Sequence, residues 1–171
     1  MLKLENINKT YNQGTVNESR LFTDFNLTVE QGDFVSVVGS NGSGKTTTLN
    51  IICGSIPIDS GHVWIDDRDI TKLKEYQRAK FTGRVYQNPS MGTCPSMNIL
   101  ENMSLADNKG KPFNLLPGIN KKRIDFYREQ LSRLRLGLED KLYVKVGNLS
   151  GGQRQAMALL MSTMTPLDFL I

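Results

Sequence analysis

The chain has 171 residues, 39% of them hydrophobic, which suits one domain with a sizeable core. Its net charge is +4, but the basic residues are dispersed and the densest group, Lys121-Lys122-Arg123, reads as a polar helix face, so the charge does not argue for a nucleic-acid partner. Two cysteines make no disulfide framework, Met1-Leu2-Lys3-Leu4-Glu5 lacks a signal-peptide core, and no apolar run is long enough to span a bilayer.

Residues 2–7 alternate apolar and polar, as a half-buried strand does, and Tyr11 ends that strand. Asn12-Gln13-Gly14-Thr15 is a turn-rich connection. Residues 21–30, with Phe22, Phe25, Leu27 and Val29, predict a second strand, and Gln31-Gly32-Asp33 turns the chain into an apolar run at 34–38, predicted as a third. These strands are hairpin-like, whereas later ones are separated by helices. The pattern predicts an antiparallel N-terminal subdomain beside a parallel α/β core.

Gly39, Ser40, Asn41, Gly42, Ser43, Gly44, Lys45 and Thr46 fit the phosphate-cradling pattern G-x-x-x-x-G-K-[ST] at every specified position, and Thr47 continues the loop into a predicted helix over 46–53. The glycines let successive N–H groups turn toward phosphate oxygens. Lys45 is placed to reach the β- and γ-phosphates, the Thr46 hydroxyl to ligate Mg²⁺, and the helix dipole adds attraction for negative charge. A plain Gly/Ser-rich turn leaves the placement of Lys and Thr unexplained, so the reading is a nucleoside-triphosphate site.

Cys53 falls on the apolar face of this helix and reads as buried packing, with Gly54 placed as its C-cap. Pro57, Asp59, Ser60 and Gly61 turn the chain into a strand over 62–65, Asp66-Asp67 turns it again, and 72–80 predicts a short helix. His62 is the only histidine and has no metal-ligating company, so it is assigned no chemistry. Residues 83–89 predict a short strand ending in a polar loop, where open α/β folds place ligand-handling groups. Gln87 there suits a contact to Mg²⁺ or an attacking water through its amide oxygen.

Residues 96–106 predict a helix and Asp107-Asn108-Lys109-Gly110-Lys111-Pro112 a polar loop. Asn120 is placed to cap a one-sided helix whose apolar positions are Ile124, Tyr127, Leu131 and Leu134. The expected organisation is a single domain over 1–171, with a helical insertion at approximately 95–150. Leu149-Ser150-Gly151-Gly152-Gln153 then precedes a predicted helix over 153–164. By average residue usage a chance match to those five residues in this length is on the order of 10⁻⁴.

With the phosphate loop, Leu-Ser-Gly-Gly-Gln is the signature of ABC-type ATPases, and the chain resembles the nucleotide-binding subunit of an ABC transporter over nearly its whole length. The resemblance implies a P-loop NTPase fold, ATP and Mg²⁺ as cofactors, and ATP hydrolysis by a dimer. It implies that Tyr11 stacks on adenine and that Lys45 and Gln87 serve catalysis, with Thr46 and Gln87 at the metal. It implies too that Ser150, Gly151, Gly152 and Gln153 face the γ-phosphate of ATP held by a second, identical subunit. The implied partners are separate transmembrane permease subunits and a solute-binding protein, and the implied location is cytoplasmic, peripheral on the inner face of the cell membrane.

The chain resembles most the ATPases of amino-acid uptake systems of the tryptophan/tyrosine type. Exporter or lipoprotein-release ATPases, and soluble ABC ATPases outside transport, are the alternatives. A P-loop kinase leaves the signature unexplained. Three departures from the family pattern stand out. Leu160-Met161 occupies the place of an arginine, and residues 88–95 include an unusual Met91-Gly92-Thr93-Cys94. The third is the acidic Walker B motif, expected after an apolar strand beginning at Leu167, Phe169, Leu170 and Ile171. Asp168 precedes most of that run and does not fill the role, so the chain is expected to be truncated before it. The loop after Gln87, with Met91, Met97, Ile99, Leu100 and Met103, is the expected contact for the permease, although Ile99 and Leu100 read more simply as core.

Overall fold

The computed structural model describes residues 1–111 and 118–171 and divides the chain into two compact units, Met1–Arg78 and Ala79–Ile171. Pro112 of the expected polar loop lies outside the described residues.

In the first unit, β1 (Leu2–Tyr11) is the inner strand of an antiparallel sheet, paired on one side with β2 (Ser19–Val29) and on the other with β3 (Ser60–Ile65). β4 (Arg68–Asp69) completes the order β2-β1-β3-β4. Leu2 and Leu4 are buried, as strict alternation requires, yet Ile7, three residues on, is also fully buried. The phase changes because Asn6 takes φ 51 where the β1–β2 register shifts, a bulge that turns the odd-numbered Ile7 to the core.

α1 (Lys45–Cys53) buries Thr48, Ile51, Ile52 and Cys53. It stops at Gly54, which takes φ 81 and donates its N–H to Ile51 O at 3.1 Å, while Ser55 N–H reaches Asn50 O at 2.9 Å. Two expectations change here. The helix expected over 72–80 is the single turn α2 (Glu75–Arg78). The apolar run at 34–38 forms no strand: Phe34 is 98% and Val38 86% exposed, and none of the described strands pairs with it. Apolar content makes a strand only where a neighbouring strand takes up its backbone groups.

In the second unit, β5 (Thr82–Gly83) and β6 (Phe169–Leu170) form a parallel pair, which Val85 N–H extends by bonding Ile171 O at 2.7 Å. The strand expected from 83 is therefore two residues long and begins one residue earlier. Three helices, α3 (Ile99–Asp107), α4 (Ile124–Ser132) and α5 (Gly151–Ser162), enclose an apolar core that includes Ile99, Leu100, Met103, Tyr127, Leu131 and Met157. α3 starts at Ile99, not 96, because Asn98 and Glu101 form a reciprocal capping box. Asn120 accepts from Lys122 N–H and opens a 3₁₀ turn that leads into α4. None of the helices among the described residues is long and apolar enough to cross a membrane.

Candidate nucleotide-binding site

The loop before α1 is shaped by its glycines. Gly42 takes φ 83 and Gly44 φ 91, both in the left-handed region that a side chain resists. Gly44 has a second reason to be glycine, since a Cβ there would lie 2.7 Å from the Phe22 ring. Ser43 N–H closes a turn onto Ser40 O at 3.3 Å. Lys45 folds back into the loop, and its Nζ donates to Gly39 O at 2.8 Å and Ser40 O at 2.7 Å. Among the described residues no side chain caps the start of α1, and its first turn holds no acid. The leading N–H groups of the helix and an ammonium are thus gathered on one loop, a donor set that suits a phosphate chain.

Tyr11 ends β1 within reach of this loop, its Oη 3.5 Å from Thr47 Oγ1. Asp59 holds the strand end by accepting from Thr10 N–H and, at 3.1 Å, from Lys9 Nζ. The Thr10 N–H foremost, aided by Lys9, keeps the Asp59 carboxyl below its usual range. Lys9 Nζ also lies 5.5 Å from the centroid of the Tyr11 ring. The half-buried Tyr11 and exposed Thr46 leave a ring face and a hydroxyl available beside the phosphate loop.

The far end of α1 is held by a residue that motif reading missed. Arg78 is buried, and its guanidinium donates to Ile51 O at 2.7 Å and Ile52 O at 3.0 Å, carbonyls at the open end of α1. It also donates to Leu73 O at 3.0 Å and Thr71 O at 2.8 Å. Burial pushes its pKa down, and the four carbonyls keep the charge solvated. Nothing local in the sequence marks Arg78, because its partners lie up to 27 residues away.

In the second unit Gln87 is exposed, and the neighbouring Tyr86 O accepts from Gln155 Nε2 of α5 at 3.5 Å. Ser150 is the N-cap of α5: its Oγ accepts from Gln153 N–H at 3.2 Å, and Gln153 Oε1 accepts from Ser150 N–H at 3.1 Å. Gln153 Nε2 also reaches Leu136 O at 3.4 Å, so this glutamine shapes the helix start. Gly151 and Gly152 are exposed, and a Cβ on either would meet none of the described residues within 4 Å. Of the apolar residues expected at a permease contact, Met91 is 66% exposed and Met97 half-buried. Ile99, Leu100 and Met103 are core, Met103 because it points into the α3–α4–α5 interior.

A half-buried lysine on a glycine loop before an uncapped helix, with antiparallel strands ahead of it in the chain and a parallel pair after it, fits the P-loop NTPase fold that the solved cassettes share. The match to known proteins is narrower. The chain belongs to the ABC transporter family, whose family model covers residues 22–171. It is 43% identical over 164 residues to a tyrosine transport ATP-binding protein of Clostridioides difficile, covering 96% of this chain and 65% of that protein. It is 33% identical to the phosphonates import ATP-binding protein PhnC of Lactococcus lactis, covering 93% of this chain and 63% of the relative. The chain thus spans less than two thirds of the length of either relative. Among solved structures, the ATP-binding cassette MJ0796, as a post-hydrolysis dimer bound to ADP and Pi, superposes with a TM-score of 0.75 at 31% identity. That match covers 95% of this chain and 68% of the cassette.

Proposed function

We propose that the chain is the ATP-binding part of an ABC importer for amino acids, working as a dimer with separate permease subunits. The observation that carries the ATP site is the pairing of Lys45 Nζ with Gly39 O and Ser40 O in front of an uncapped helix. Bound ATP and Mg²⁺ would supply a phosphoanhydride bond and the cation that neutralises its developing charge. Lys45 exchanges loop carbonyls for phosphate oxygens, and the leading N–H groups of α1 take the remaining charge. Tyr11 offers a ring face to the base, while the Thr46 hydroxyl and the Gln87 amide oxygen are the oxygens suited to Mg²⁺.

Ser150, Gly151 and Gly152 face the nucleotide of a second copy. The openness in front of both glycines supports this, as does the likeness to a dimeric cassette. Uptake of an amino acid is the cargo class favoured by the tyrosine transport relative. Hydrolysis coupled to transport, a solute-binding protein and a place on the inner face of the cell membrane belong to the whole protein under this reading. Titration of the chain and of Lys45→Ala with a fluorescent ATP analogue tests the site: the variant should bind at least tenfold more weakly, and equal affinities would remove the assignment.

A further inference from the structure

Asn102 is fully buried in α3 among Ile99, Leu100 and Met103. A buried amide is tolerated when its donors and acceptor are all engaged. Asn102 Oδ1 accepts from Cys94 N–H at 2.7 Å, and Nδ2 donates to Cys94 O at 3.1 Å and Asn98 O at 2.9 Å, with Met97 O at 3.4 Å. The side chain therefore grips both backbone groups of Cys94, as a neighbouring strand would.

The other side of the same turn is also occupied. Met97 O accepts from Val146 N–H at 3.0 Å, Pro95 O from Gly147 N–H at 2.9 Å, and Val144 O from Ile99 N–H at 3.1 Å. Gly147 sits tight against the turn: a Cβ would lie 3.1 Å from Pro95 O, so a methyl group there presses on it by a few tenths of an ångström. Upstream, the stretch after Gln87 is tied internally: Met91 N–H reaches Asn88 O at 3.1 Å, and Thr93 Oγ1 donates to Pro89 O at 3.0 Å. Downstream, Val146 and Leu149 are buried, and Ser150 follows at once.

We propose that Asn102 is a positioning residue that joins the turn after Gln87 to the segment entering Ser150, so that both stretches move as one body. The functional meaning of this linkage rests on the reading of Gln87 and Ser150 as nucleotide-facing residues. The hydrogen bonds on the two sides of Cys94–Met97 transmit any shift of the turn to residues 146–147, and any shift there back to Cys94.

Amide hydrogen exchange on the 171-residue chain without nucleotide tests the linkage from both ends. Asn102→Leu should speed exchange at least tenfold at Cys94 and also at Val146 and Gly147, with the Tyr127 and Leu131 amides of α4 changing less than threefold. Gly147→Ala, which leaves Asn102 intact, should speed Cys94 at least threefold. Unchanged Val146 and Gly147 in the first variant, or unchanged Cys94 in the second, would overturn the linkage. Equal acceleration throughout α4 would reduce Asn102 to a general core residue. Adding ATP and Mg²⁺ to wild type reads the other assignment separately: absence of new protection at residues 39–47 would remove the ATP reading and leave the linkage to the nucleotide-free data.

Discussion

Replacing Arg78 with methionine keeps the apolar stem and removes the guanidinium. Four carbonyls, those of Ile51, Ile52, Leu73 and Thr71, then lose donors at 2.7–3.0 Å. Hydrogen bonds from a charged donor are worth roughly 1.5–3 kcal/mol each, so their sum is about 6–12 kcal/mol. Against this stands the cost of burying the guanidinium, several kcal/mol, which methionine no longer bears. A net loss of about 3–5 kcal/mol follows, the range for removing one partner of a buried charged contact. Trp64, the only tryptophan, lies in β3 of the same unit and reports urea unfolding by its fluorescence. Arg78→Lys should recover part of the loss, because an ammonium keeps the charge but not the planar fork. A loss below about 1 kcal/mol in Arg78→Met would refute the argument that this residue holds the end of α1.

Gly44→Ala should destabilise the chain and weaken ATP-analogue binding more than Gly42→Ala, because both suffer left-handed strain of about 1–2 kcal/mol but only Gly44 has the Phe22 ring at 2.7 Å; equal thermal midpoints would contradict this. Tyr11→Ala should lose about 1–3 kcal/mol of nucleotide affinity and Tyr11→Trp should retain most of it, measured by the same titration, whereas unaltered binding by the alanine variant would make Tyr11 a strand-end residue only. Asp69 is held down to about 2, chiefly by the Thr71 hydroxyl, with the Thr71 N–H and His62 adding to it. Its folded value lies below the ordinary one near 4, so its contribution is present above about pH 4 and lost as pH falls through about 2. Acid titration followed at Trp64, which pairs with Asp69 across the β3–β4 hairpin, should show this loss, and Asp69→Asn should flatten it.

Features encoded by neighbours in the chain were legible without coordinates. The α1 stop at Gly54 needs only a residue that accepts φ 81, and the Ser150–Gln153 cap needs only its three-residue spacing. Features that depend on distant partners were not. Phe34, Val35, Val37 and Val38 read as a strand, yet pairing depends on residues elsewhere and the segment lies exposed. Met103 and Met91 look alike in sequence, but the packing of α3 against α4 and α5 buries one and leaves the other in solvent. Arg78 and Asn102 carry no motif at all, since their partners are backbone atoms whose positions only the fold supplies.

Among the described residues, nothing comes within 4 Å of a Cβ built on either of the two glycines after Ser150. Glycine is a weaker helix former than alanine, and both stand in the first turn of α5 with room for a methyl group among the described residues. An isolated chain carrying alanine at both positions should be no less stable, which its thermal midpoint would check. Under the proposed dimer, harm from those methyl groups comes from the surface of the second copy. If that reading holds, a screen for stabilising changes and a screen for loss of assembly at Gly151 and Gly152 would pick out the same variants, the first as improvements and the second as failures.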